Sequence, residues 1–132
     1  MKGLYILGLL IITCCSVAED KHIVQDEYVG EWEWYLTAGG WSHPISTDTA
    51  GYDMTLQVYN QNLAKWFKDD SLLNRYEILY DNNRRENNLV MYKIGHKESC
   101  GFRLNLQEEN ELHLTSANCT DLPTHFFRRA MK

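Results

Sequence analysis

The side chains that ordinarily do chemistry are present in this sequence, but not in working arrangements. Five histidines, His22, His43, His96, His113 and His125, are scattered along the chain. No pair stands at metal-ligand spacing, and no glutamate sits between two of them as a zinc hydrolase helix requires. There is no Gly-x-Ser-x-Gly turn to expose a nucleophile and no glycine-rich loop to cradle phosphate. Acidic residues are common, but they fall in turns or alternate with apolar positions, where solvated surface is the ordinary outcome. We therefore expect no enzyme, and assign no catalytic residue, metal or cofactor.

Cysteine is the other reactive type, and its four copies fall into two pairs. Cys14 and Cys15 follow an apolar run at 4–13, which Lys2 precedes and the polar residues Glu19, Asp20 and Lys21 end. A short positive start, an apolar stretch too brief to span a bilayer and small residues before a polar break make a signal peptide over 1–18. Two fates stay open. Cleavage after Ala18 would free a secreted chain, since Ser16 and Ala18 are small where a signal peptidase reads. Alternatively, the residues before Cys14 or Cys15 form an imperfect lipobox, and one of these cysteines is a lipidation candidate. The chain would then be an outer-membrane or periplasmic lipoprotein, touching a membrane only through that anchor.

Export places Cys100 and Cys119 in an oxidising space, where a disulfide is favoured over two free thiols or half a metal site. It would close a loop of about twenty residues, worth roughly 3 kcal/mol in the loop-entropy account. Asn118-Cys119-Thr120 matches a glycosylation acceptor formally, but a cysteine in its middle position and the upstream lipoboxes discount it.

Charge removes one class of partner. The formal net charge is −5, and removing 1–18, whose only charge is Lys2, takes it to −6. The dense positive groups are two doublets, Arg84-Arg85 and Arg128-Arg129, too little to hold a phosphate backbone, so no nucleic acid is expected.

The elements that position these residues are strands. The 132 residues allow one domain,. Short β-branched and aromatic runs recur at 28–37, 51–59, 63–68, 75–80, 89–94, 102–106, 112–115 and 124–129, separated by Gly, Asn and Asp. In the first run, alternation puts Gly30, Trp32, Trp34 and Leu36 on one face and Glu31 and Glu33 on the other. No run shows a helical period of useful length. About eight strands joined by short turns close most easily as a single antiparallel up-and-down barrel, which leaves no open edge. The expected division is a signal peptide at 1–18, a lead-in at 19–27 and an all-β barrel domain at 28–132.

These residues resemble a known group. Val29-Gly30-Glu31-Trp32-Glu33-Trp34, then Gly39-Gly40, Pro44 and Gly51-Tyr52, are similar to the opening of small bacterial lipocalin-like domains, which are usually exported and often lipoproteins. Cys119 ahead of Phe126-Phe127-Arg128-Arg129 is similar to their ending. The resemblance implies that Gly30-x-Trp32 lies at the barrel floor, with an arginine of the last strand, Arg128 or Arg129, over the indole. We assign Gly30, Trp32 and Arg128 this structural role. The chain is short for a lipocalin and lacks a long C-terminal helix, which implies a small or shallow cavity.

An eight-stranded interior is either filled by its side chains or holds one small ligand. The inward set includes Trp34, Leu56, Val58, Trp66, Ile78, Met91, Phe102 and Leu104. From it we take Trp34, Leu56, Trp66, Ile78, Met91 and Leu104 as candidate ligand-binding residues for a small hydrophobic molecule. The alternative is a solid barrel acting as an envelope interaction or scaffold protein, a hydrolase inhibitor being a special case. Its protein contacts would run through the polar loops 38–49 and 81–88.

Overall fold

The computed structural model describes residues 23–41, 43–85, 88–96 and 100–131. Residues 1–22, which include the expected signal peptide, Cys14, Cys15 and His22, lie outside them. Nine strands and one helical turn follow in order: β1 (Gly30–Ala38), β2 (Ile45–Ser46), α1 (Thr47–Ala50), β3 (Met54–Tyr59), β4 (Leu63–Lys68), β5 (Ser71–Tyr80), β6 (Leu89–Lys93), β7 (Phe102–Gln107), β8 (Glu111–Ser116) and β9 (Thr124–Arg129). From β3 to β9 each strand pairs antiparallel with the next, and β1 pairs with both β3 and β9. The result is a closed eight-stranded up-and-down barrel, with β2 as a short extra strand against the end of β1. Closure leaves no free edge among the eight.

The turns are where the polar clusters place them. Asn62, Asp69 and Asp70 take φ of 59°, 48° and 63°, a left-handed region that Asn and Asp tolerate through local hydrogen bonding,. Three details depart from strict alternation. A bulge between Trp34 and Leu36 in the β1–β9 pairing flips the end of β1,. Leu36, expected to face inward, is displaced from that face, and Thr37 is buried instead. The loop expected over 38–49 contains β2 and runs into α1, and Gly51 caps that turn at φ 73° rather than opening a strand. A second bulge, between Trp66 and Phe67, lets β5 start at Ser71 instead of near residue 75.

The barrel is solid at one end. Trp32, Leu56, Met91, Leu104, Leu112, Leu114 and Phe127 are fully buried around Val58, Ala64 and Ile78. Each such large side chain contributes about 1.5–3 kcal/mol by leaving water. The described part of the lead-in, from Ile23, packs against this end. Val24 and Tyr28 join the core cluster, the backbone N–H of Ile23 donates to Asn62 Oδ1 at 2.9 Å, and Trp32 Nε1 donates to the Tyr28 carbonyl at 2.9 Å.

The floor arginine is Arg129, not Arg128. Strand register decides this: Arg129 stands opposite Trp32 on β1 and Arg128 opposite Glu33. Side chains on a strand alternate, so Arg129 shares the face of Phe127 and Trp32 while Arg128 points outward. The Arg129 guanidinium lies 4.2 Å from the Trp32 ring centre and donates to the carbonyls of Val29 at 3.1 Å and Glu27 at 2.6 Å. Gly30 makes room for it: a Cβ there would lie 3.1 Å from Arg129 Nη1, on a backbone at φ 135°. The other end of the barrel carries the Cys100–Cys119 disulfide, which ties the start of β7 to the segment after β8 across a Cα separation of 5.6 Å.

Candidate functional site

The end opposite the floor opens into a pocket of about 340 Å³, lined by Trp34, Thr37, Ile45, Tyr52, Met54, Trp66, Leu73, Asn74, Tyr76, Phe102 and His125. Seven strands deliver these walls: the far half of β1, Ile45 of β2, the first residue of β3, Trp66 of β4, the first part of β5, the first residue of β7 and the second of β9. The volume is at the lower bound for pockets that take a compact organic molecule.

The walls are aromatic and locked against one another. Trp34 stacks on Tyr52 with ring centres 5.6 Å apart and planes 9° from parallel. Trp66 meets Tyr76, Phe102, His125 and Phe127 in tilted or edge-on contacts at 5.2–6.2 Å. Such arrangements set the ring edges against ring faces, the favourable sense for aromatic quadrupoles. Phe127 belongs to the buried core, so Trp66 divides the solid half of the barrel from the open half.

The bulge in β1 supplies the pocket's polar chain. It turns Thr37 inward, where its Oγ1 accepts from Trp34 Nε1 at 2.9 Å and lies 2.8 Å from His125 Nδ1. The Thr37 hydroxyl and His125 Nδ1 form one hydrogen bond, the hydroxyl donating to one neutral tautomer of the ring or accepting from the other,. Burial drives the imidazole pKa down to about 4, so the ring is neutral at ordinary pH,. Burial likewise pushes the Tyr76 hydroxyl up. Trp66 adds a second ring donor: its Nε1–H is buried and meets no acceptor among the described residues.

Of the six residues the sequence pointed to for ligand contact, the structure brings two, Trp34 and Trp66, to the pocket. Leu56, Ile78, Met91 and Leu104 do not reach it. Leu56, Ile78 and Leu104 stand two residues further along their strands than the pocket walls Met54, Tyr76 and Phe102, Met91 pairs with Phe102 from a strand that gives the pocket no wall, and all four lie in the packed core, essentially inaccessible. Tyr52, Tyr76 and His125 were missed. Tyr76 carried a usable signal, since it shares the alternating face of Ile78. Tyr52 lies between strands, and His125 becomes a wall only through the register of β9 against β1.

The mouth is also where exposed apolar side chains gather. Trp41, Ile45, Leu72, Leu73 and Leu122 all belong to segments at this end, and Trp41 is 89% exposed. The loop at 38–49 thus borders the mouth. The polar loop at 81–88 leaves the floor end, between β5 and β6, and its Asp81 carboxylate takes a hydrogen bond from the buried Arg103 guanidinium at 2.8 Å. That bond holds the Asp81 carboxyl below its usual range.

Outside the barrel, Tyr35 donates to Glu111, which also meets His113 Nε2 at 2.9 Å, and Arg128 covers the Tyr35 ring at 4.3 Å. Desolvation, with the neighbouring Glu111, raises the Tyr35 hydroxyl to about 12. The Glu111 carboxyl is held low by its bonds to Tyr35 and His113. This group is satisfied within itself. Among the described residues no His, Cys, Asp and Glu cluster could hold a metal ion. No model of a known protein family, no curated protein and no solved structure matches the chain.

Proposed function

We propose that this chain is an exported, non-enzymatic, lipocalin-like protein that binds one small hydrophobic molecule in the open end of its barrel. The observation that carries this reading is the aromatic pocket of about 340 Å³ bounded below by Trp66. A barrel needing only stability gains from filling its interior to the rim, because empty space forfeits dispersion contacts. Here the floor half is filled and the mouth half is not. Few polar groups line the space, as expected of a site that recognises shape and apolar surface. The Cys100–Cys119 disulfide at the rim accords with export,.

A second reading has an observation of its own. Apolar side chains are exposed on the segments at the mouth, Trp41, Leu72 and Leu73 foremost, and such side chains suit contact with another protein,. In that reading the barrel is a scaffold and its mouth loops are the interface.

Native mass spectrometry of the chain purified from its own envelope fraction separates the two. A stoichiometric small apolar molecule supports the binding reading. An empty chain that also fails to take up small aromatic compounds refutes it, and an empty chain with a co-purifying protein points to the scaffold.

A further inference from the structure

Exposed apolar side chains are divided unevenly between the two ends of the barrel. Four connections lie at the mouth: 39–53, 69–70, 94–101 and 117–123. Each of them, or a strand residue beside it, exposes a large apolar side chain: Trp41 and Ile45 on the first, Leu72 and Leu73 beside the second, Ile94 on the third and Leu122 on the fourth. Among the described residues the floor end exposes Tyr80 and Met131, and two of its turns read Asn60-Gln61-Asn62 and Glu108-Glu109-Asn110. The mouth connections are also braced into one rim. Gly40, at φ 65°, seats the first on the fourth: a Cβ there would lie 2.6 Å from the Asp121 carbonyl oxygen. Asp53 and Asp69 join the first to the second, the Asp53 N–H donating to Asp69 Oδ1 at 2.9 Å and the Asp69 N–H to the Asp53 carbonyl at 3.0 Å. The Cys100–Cys119 disulfide joins the third to the fourth.

We propose that this rim docks onto a lipid surface of zwitterionic headgroups, with Trp41 as its interfacial anchor. An indole carries an apolar body and a polar N–H, and it settles at headgroup level where both are served. Separate apolar tips around an opening suit a fluid interface, which moulds to each of them, whereas a protein partner must match every tip with a pocket of its own. Charge sets the lipid class. The four connections carry Asp48, Asp53, Asp69, Asp70, Glu98 and Asp121 against Lys97, with Lys68 and Lys93 at the adjoining strand ends. This end is net negative, so anionic headgroups repel it and the outward ammonium of phosphatidylcholine does not. Ile45 and Leu73 also line the pocket, so its opening lies within the rim, and a docked chain exchanges a hydrophobic molecule with the lipid directly. Docking itself does not depend on the pocket being occupied.

The chain carries its own reporter. Of its four tryptophans, Trp32, Trp34 and Trp66 are buried and Trp41 is exposed. Iodide quenches in water and stays out of lipid, so it reads Trp41. The oxidised full chain is mixed with vesicles of phosphatidylcholine, alone or blended with phosphatidylglycerol. We expect phosphatidylcholine vesicles to remove most of the iodide quenching and to shift the emission to the blue, and the blended vesicles to do so less. The pair Leu72→Ser, Leu122→Ser should weaken vesicle binding about tenfold, because it takes two well-exposed apolar side chains out of the contact,. Met131→Ser, at the floor end, should leave binding unchanged. All three positions are exposed, so the fold tolerates the changes. Trp41 still quenched at saturating lipid overturns the proposal, even where another segment carries the chain down with the vesicles. Shielding that needs phosphatidylglycerol overturns the zwitterionic class. Shielding that grows with protein concentration in the absence of lipid overturns lipid docking and assigns the rim to a second copy. Uptake of small aromatic compounds by the lipid-free chain tests the pocket separately, so this proposal and the binding reading fail independently.

Discussion

Replacing Arg129 by alanine is the sharpest probe of how this barrel is sealed. The guanidinium lies 4.2 Å over Trp32, which is fully buried, and a desolvated cation–indole contact is worth about 1–2 kcal/mol,. Its bond to the Val29 carbonyl at 3.1 Å is part-buried, and a hydrogen bond from a charged donor contributes about 1.5 kcal/mol there,. The bonds to the Glu27 and Glu109 carbonyls are exposed and exchange with water at little net gain. The expected loss is therefore about 3 kcal/mol, a fall in Tm of roughly 10–15 °C for a domain of this size. Arg128→Ala is the control, since Arg128 covers the half-buried Tyr35 from the solvent side and should cost less than about 1 kcal/mol,. Urea unfolding followed by tryptophan fluorescence measures both, and near-ultraviolet dichroism reports whether Trp32 keeps its fixed surroundings. If Arg129→Ala costs no more than Arg128→Ala, the floor is held by apolar packing alone and the reasoning fails.

Other expectations follow from the same contacts. His125 is neutral in the fold with a pKa of about 4, against an ordinary 6.5. Above pH 6.5 neither state binds a proton there. As the pH falls from 6.5 to 4 the unfolded chain gains one and the folded chain does not, so stability drops by up to about 3 kcal/mol and levels off below 4. Urea midpoints across that range, compared with those of His125→Phe, check it; a wild-type slope no steeper than the variant's rules it out. The double substitution Cys100→Ser, Cys119→Ser should cost about 3 kcal/mol in urea unfolding by releasing its loop,. Leu104→Ala, deep in the solid half, should cost about 2–5 kcal/mol in the same assay,. Leu73→Ala, half exposed at the mouth, should stay within about 0.5 kcal/mol,.

Local chemistry along the chain determined the class of fold. Alternation around Trp32 and Trp34, turn residues at Asn60 to Asn62 and at Asp69 to Asp70, and their regular spacing suffice for an antiparallel barrel, because strand period and turn preference act over a few residues. The pairing of Cys100 with Cys119 was legible for a similar reason, with two thiols and one domain to hold them. Tertiary structure alone decided the depth of each inward residue. Alternation says that Leu104 and Phe102 share a face, but not that one lies in the packed core and the other at the mouth, since depth depends on strand tilt and register around the closed sheet. It also decided which arginine covers Trp32, through the β1–β9 register, and it turned Thr37 inward through a bulge that no residue type announces. The pocket's polar chain from Trp34 through Thr37 to His125 joins positions 88 residues apart. Such a contact exists only when the barrel closes, and the candidate site is therefore a property of closure rather than of any single segment.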